Sequence, residues 1–337
     1  NTGEQDSSSS SSSDDSPQQQ KKDDTDSTIV TTTTTTSSSD AASSSTNDSQ
    51  QKSFSIDYGV HGIIGRRKTM EDSDLVIEDL LEGVNATQKP SVCSLFAVFD
   101  GHGGEKASKY VAEKFHQVLM AQNDAQNDAD ALLKNPTQVM TQTILELEKN
   151  FLNKARDENL QDGTTAVIAL VIDNQLYVAN VGDSEGVLYR SDGSLIELTQ
   201  VHTPAKSESE SQRITNAGGK LIKGRVGHPA MNPSFFNIAV SRAIGDLMYK
   251  DPELLSGKVS GLIADPHNSQ QTLRSGDILL IACDGLWDVF TFEEAYQIIQ
   301  QQLKQEKTAQ EISEELVQKA FHNGSLDNIS ACLVLFE

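Results

Sequence analysis

Short apolar runs that end on an aspartate recur along this chain, and that recurrence constrains the fold more than any other feature. Leu95-Phe96-Ala97-Val98-Phe99 runs into Asp100-Gly101-His102-Gly103-Gly104. Leu176 to Val181 runs into Gly182-Asp183-Ser184, and Leu279 to Cys283 runs into Asp284-Gly285-Leu286-Trp287-Asp288. Asp327-Asn328 opens the last run, Ile329 to Phe336. Segments this short, apolar or β-branched and bounded by Gly, Asn or Asp, read as strands at 91–99, 166–172, 175–181, 187–189, 277–282 and 330–336. Hairpin signals at Asp173-Asn174 and Asp192-Gly193 join neighbours antiparallel.

Apolar spacing of three and four predicts helices over 105–119 and 139–155. Two more helices start at capping boxes, Thr291 with Glu294 and Thr308 with Glu311. Stops fall at Gly218-Gly219 and Asn323-Gly324. Strands and helices do not alternate strictly, so a doubly wound parallel sheet is not the expectation. The expected class is α+β: a central antiparallel β-sandwich flanked by α-helices, in four α-β-β-α layers.

Residues 1–52 form a low-complexity Ser/Thr/Gln-rich segment in which Ile29 and Val30 are the only large aliphatic residues. Such a segment buries too little apolar surface to offset its ordering entropy and reads as a disordered tail. Residues 53–337 read as one globular domain. The 49 acidic against 27 basic residues, net −22, argue against a nucleic-acid partner, which needs clustered cations. Cys93, Cys283 and Cys332 are dispersed, as buried free thiols of a reducing compartment would be. No apolar run is long enough for a membrane span, and no signal peptide is visible. A cytoplasmic or nuclear monomer is expected. The sequons at Asn85, Asn323 and Asn328 read as chance matches.

A single Asp-Gly pair is a turn signal, and Asp192-Gly193 is read as only that. Repetition changes the reading. Strands ending at one rim of a sandwich bring their carboxylates together, where they repel and raise one another's pKa values. Such a cluster requires cations, and oxygen donors without a His/Cys set select Mg²⁺ or Mn²⁺. Two such ions sharing a carboxylate lower the pKa of a bridging water and steady in-line attack on phosphorus. Arg67, near Glu71-Asp72, suits a bidentate grip on phosphoryl oxygens. His102, beside Asp100-Gly101, suits protonation of a leaving alkoxide.

These segments, together with Arg67-Lys68-Thr69-Met70-Glu71-Asp72, Gly163-Thr164-Thr165-Ala166, His202 with Pro204, Ala217-Gly218-Gly219 and Ser241-Arg242-Ala243-Ile244-Gly245-Asp246, resemble the type 2C metal-dependent protein serine/threonine phosphatases over nearly the whole globular part. The resemblance implies hydrolysis of phosphoserine and phosphothreonine in protein substrates at a dinuclear Mg²⁺ or Mn²⁺ site. It implies that Asp100 bridges both ions, Gly101 offers a carbonyl, and Asp284 and Asp327 complete one ion. Glu71 and Asp72 would act through water, Arg67 would bind phosphate, and His102 would be the general acid. Asp183 and Asp288, with Asp284, match a weaker third metal site. Thr165 and Asn328 are read as local supports, and Ser241 and Arg242 as structural. Two positions depart from the family pattern, Glu185 and Val201. The stretch 224–237, with two prolines and Phe235-Phe236, lies where the family carries a variable flap and is a candidate for substrate choice.

Two other readings compete. One is a catalytically silent binding module on the same fold, which an intact set of acidic ligands disfavours. The other is a two-metal nuclease or a Ca²⁺-binding sandwich. The acidic charge disfavours the nuclease, and Ca²⁺ binding alone does not need Arg67 and His102.

Overall fold

The computed structural model describes residues 55–82, 89–125 and 130–337. The tail expected over 1–52 and the sequon at Asn85 lie outside the described residues.

Two five-stranded sheets carry the fold, and every ladder in them is antiparallel. One runs in the order Ile56–Ile63, Ile329–Phe336, Ile278–Ala282, Glu185–Tyr189 and Leu195–Glu197. The other runs His267–Thr272, Gln175–Val181, Ala166–Ile172, Cys93–Phe99 and Ser73–Ile77. Phe96, Val98, Val167 and Val178 of one sheet meet Leu188, Leu279, Ile281 and Val334 of the other in a shared core.

The outward faces are also apolar. Leu95, Ala97 and Phe99 pack against Val111, Phe115 and Leu119 of helix Lys106–Ala125 and Ile144 and Leu147 of helix Pro136–Glu158. Val187, Leu280 and Leu333 pack against Ile299 of helix Phe292–Leu303 and Ile312 and Leu316 of helix Ala309–His322. Covering both faces of each sheet explains why the central strands read as continuous apolar runs instead of alternating. Each such Leu, Ile or Phe contributes roughly 1.5–3 kcal/mol by leaving water.

Both capping boxes form: Thr291 and Thr308 each accept from the third backbone N–H, and Glu294 and Glu311 reach back. Hairpin 172–175 turns at Asp173, in left-handed backbone at φ 50°. The edge strand His267–Thr272 has no apolar face, only His, Asn, Ser, Gln and Thr. It gives the sequence pattern nothing to detect, and its ladder to Gln175–Val181 holds it. The expected α-β-β-α sandwich is the observed one, with all three cysteines buried and free.

Candidate active site at the rim of the sandwich

Nine of the ten residues expected at the site, all but Asp72, line one cleft of about 590 Å³. They are Arg67, Glu71, Asp100, Gly101, His102, Asp183, Asp284, Asp288 and Asp327. Asp72 lies beneath, 6% exposed, where Ser330 Oγ donates to its Oδ2 at 2.7 Å.

Strand ends place these groups as their pattern suggested. Asp100 follows strand Cys93–Phe99, and its carbonyl accepts from Thr165 N at 2.9 Å and Thr164 Oγ1 at 3.1 Å. Asp284 opens the short helix Asp284–Trp287 directly after strand Ile278–Ala282 and Cys283. Close backbone approaches lock the floor. A Cβ on Gly101 would stand 2.1 Å from the Glu71 carbonyl, and one on Gly285 would stand 1.9 Å from the Asn328 carbonyl. Glycine is therefore required at both positions.

Several residues brace the floor of the cleft. Asn328 ties down the loop that carries Arg67 and Glu71. Its amide donates to the Ile64 and Thr69 carbonyls at 2.8 and 2.9 Å, and its Oδ1 accepts from Glu71 N at 2.8 Å. Thr165 Oγ1 bonds Ser184 Oγ at 2.7 Å. His202, buried, accepts the Gly182 N–H at Nδ1 and so steadies the turn that presents Asp183. Burial, then the nearby Arg242 charge, pushes His202 down to about 3, so this imidazole is neutral. Ser241 and Arg242 are structural: both donate to the buried Glu210, as does Arg213.

The carboxylates of the cleft are under electrostatic load. Burial raises Asp284 to about 7, with Asp183, Asp327 and Asp288 adding to the rise. Burial raises Asp72 to about 6 against the opposing Ser330 hydrogen bond. Asp100 is held well above the carboxylate range by burial and then by Asp72, Asp284 and Asp183. Asp284 Oδ1 is buried with no hydrogen-bond partner among the described residues. An orphaned carboxylate oxygen in a cluster of acids fits a hard cation, the ligand that both neutralises the charge and satisfies the oxygen. Among the described residues no three Asp, Glu, His or Cys groups stand together at metal-ligand spacing.

Two features qualify the expected roles. The Arg67 guanidinium is paired with Asp327 Oδ2 and also donates from Nε to the Leu326 carbonyl. His102 Nε2 lies 2.9 Å from both oxygens of Asp246, whose side chain is 4% exposed. Asp246 was legible as part of a motif but carried no assigned role. Arg225, Asn237 and Tyr249, which also line the cleft, carried no strand-end signal. The departure at Glu185 adds an acid near this rim; burial raises it to about 7. Asp192 is a turn residue: its Oδ1 accepts from Ser194 N and Oγ at 2.9 and 2.6 Å.

The family model described as "Protein phosphatase 2C" matches residues 56–329. "Protein spalten" of Dictyostelium discoideum is 33% identical over 293 residues, covering 83% of this chain and 28% of that protein. This chain therefore spans little more than a quarter of that relative. The human "Integrin-linked kinase-associated serine/threonine phosphatase 2C" is 32% identical over 311 residues, covering 84% of this chain and 74% of that one. Among solved structures, a serine-threonine phosphatase 2C from Toxoplasma gondii superposes with a TM-score of 0.66 at 21% identity, covering 84% of this chain and 95% of that chain.

Proposed function

Because the chain belongs to the protein phosphatase 2C family, whose members are metal-dependent protein serine/threonine phosphatases, we propose that it hydrolyses phosphoserine and phosphothreonine in proteins at a dinuclear Mg²⁺ or Mn²⁺ site in the rim cleft. The observation that carries this reading is the orphaned Asp284 Oδ1 among the mutually repelling carboxylates. Asp100, Asp284, Asp327 and the Gly101 carbonyl would hold the ions, with Glu71 and Asp72 behind them through water. Asp183 and Asp288 with Asp284 would offer a weaker third position. When bound, the ions supply an activated water and neutralise phosphoryl charge.

The chain's own residues do the rest. Arg67 presents a guanidinium fork to the phosphoryl oxygens. Asp327, which pairs with Arg67, is also a residue that would hold an ion, and Arg67 released from it would be free to bind phosphate. His102 protonates the departing serine or threonine oxygen. Asp246 supports that role. Burial by itself pulls the imidazole down, but the Asp246 charge and hydrogen bond outweigh it and hold His102 above its ordinary value.

The test is release of inorganic phosphate from a phosphothreonine peptide by the full chain, titrated with Mn²⁺ or Mg²⁺ and with chelator. Turnover that appears with metal and vanishes with chelator supports the reading. A folded protein that binds the peptide but never turns it over at saturating Mn²⁺ leaves the silent binding module standing instead.

A further inference from the structure

Three short strands build a small sheet at the mouth of the cleft. Gly101–His102 and Ile244–Gly245 both pair with Gly163–Thr164, which lies between them. In this register Gly163 stands opposite His102 on one side and opposite Gly245 on the other. The middle position has no side chain, so His102 reaches across it to Asp246. A Cβ on Gly163 would lie 2.2 Å from Asp246 Oδ2 and 2.4 Å from His102 Nε2. The three atoms nearest to that Cβ all belong to the His102–Asp246 pair.

Asp246 is held for this purpose from several directions. Its backbone is left-handed, φ 58° and ψ 51°, a conformation that costs most residues about 1 kcal/mol or more and that Asp and Asn tolerate best. Its N–H donates to the Asp162 carbonyl at 2.9 Å, and its carbonyl accepts from Tyr249 N at 2.8 Å. The preceding Gly245 N–H donates to Glu148 Oε2 at 2.7 Å, which ties the turn to helix Pro136–Glu158. Lys250 Nζ holds the other oxygen of Glu148, also at 2.7 Å.

We propose that Asp246 is the positioning residue of the reaction, gripping His102 through Nε2 so that Nδ1 is the nitrogen that delivers the proton. The inference rests on the general-acid reading of His102. A carboxylate only accepts, so the nitrogen facing it carries a hydrogen in both protonation states of the ring. That leaves Nδ1 as the position that gains and gives up a proton. In the step itself a hydroxide derived from the attacking water bonds to phosphorus while the phosphorus–oxygen bond to the substrate side chain breaks. The departing oxygen takes the bonding pair and the Nδ1 proton, and His102 is left neutral with Nε2–H still on Asp246. Among the described residues, the Asp246 carboxylate touches no other side chain by hydrogen bond or ion pair.

The experiment compares two substrates in the full chain with Mn²⁺. A phosphoserine peptide has an alkoxide leaving group that needs the proton. p-Nitrophenyl phosphate has a leaving group that departs as a stable anion. Three variants are used: His102→Gln, Asp246→Asn, which keeps both shape and left-handed tolerance, and Gly163→Ala, which wedges the pair apart without altering either member. All three are expected to lower kcat on the peptide by about 10²-fold or more and kcat on p-nitrophenyl phosphate by only several-fold, with KM little moved. Independently of activity, ¹⁵N spectra of the metal-free protein should show His102 as the Nε2–H tautomer, and a mixed or inverted tautomer in Asp246→Asn and Gly163→Ala. If His102→Gln lowers both substrates equally, the general-acid reading fails. If His102→Gln discriminates between the leaving groups while Asp246→Asn and Gly163→Ala do not, and the tautomer is unchanged, that reading stands and the assignment of Asp246 is overturned. Should Asp246→Asn fail to fold, Gly163→Ala and the wild-type tautomer decide the matter in the same way.

Discussion

Two sets of carboxylates in this molecule are treated in opposite ways. Glu210, 2% exposed, sits among Arg213, Arg242 and Ser241, all of which donate to it. Burial works against its charge, but the two guanidinium groups and the hydroxyl outweigh that cost and drive its pKa well below the ordinary range. Asp72 is buried and Asp100 and Asp284 are half-buried, yet their neighbours are more carboxylates, and their pKa values rise. At Glu210 the chain brings its own cations. At the rim it gathers anions, and Asp284 Oδ1 has no hydrogen-bond partner among the described residues. The first arrangement is complete as folded, while the second is the one that the proposed cations would complete.

The sharpest way to break this contrast is to remove one anion from each set. Asp100→Asn should lower metal-dependent phosphopeptide hydrolysis by at least about 10³-fold, the scale of losing a preorganised charge in a site of this kind, with circular dichroism unchanged. Retained turnover would mean that the rim carboxylates do not hold the reaction's cations. Glu210→Gln should act on stability instead. It leaves the half-buried Arg213 and Arg242 without their countercharge, at a cost below the roughly 3–5 kcal/mol of a fully buried pair, read as a lower urea midpoint. The midpoint should still rise on adding Mn²⁺, because that response belongs to the rim.

A third test uses pH. Asp72 and Asp284 have folded pKa values near 6 and 7, above the ordinary 3.8. Raised carboxylates favour the fold in their protonated form, so their contribution is fully present below about pH 4 and is lost as pH rises through 6 and 7. Glu210 has the opposite sign: its contribution is present above the ordinary glutamate value and is lost as pH falls. The metal-free protein should therefore lose stability between about pH 4 and 7, by a few kcal/mol. Saturating Mn²⁺ should flatten or reverse that slope. A metal-free slope of the other sign would show that the rim carboxylates are not under the load described here.

The contrast also explains what the sequence made legible. A strand end followed by Asp is a local signal, so Asp100, Asp183 and Asp284 could be found from the chain alone, and the sandwich then brought them to one rim. The capping boxes at Thr291 and Thr308 are equally local, and both form. The partnership of Asp246 with His102 was out of reach because it depends on three two-residue strands whose register no periodicity reveals. The pairing of Arg67 with Asp327 spans 260 positions and depends on how the first loop folds back over the last strand. The edge strand His267–Thr272 was missed because it is polar throughout. Local chemistry was readable, whereas contacts made by tertiary register were not.

The smallest effect is expected at a carboxylate that belongs to neither set. Asp192 also precedes a glycine, and by spelling alone it resembles Asp100 and Asp284. It is exposed, and its charge is held below the usual range by Ser194, whose hydroxyl and N–H both donate to it. Gly193, at φ 85°, supplies the left-handed turn of this hairpin. Asp192 is exposed and the charges acting on it are those of Arg274 and Arg190, so it needs no cation. Asp192→Ala should therefore shift Tm by less than about 2 °C and leave both the Mn²⁺ response and peptide turnover at wild-type levels. A large loss of turnover in this variant would mean that an Asp-Gly turn by itself, apart from burial and the company of other acids, decides function in this chain. Partial burial among like charges is what separates Asp100 and Asp284 from Asp192.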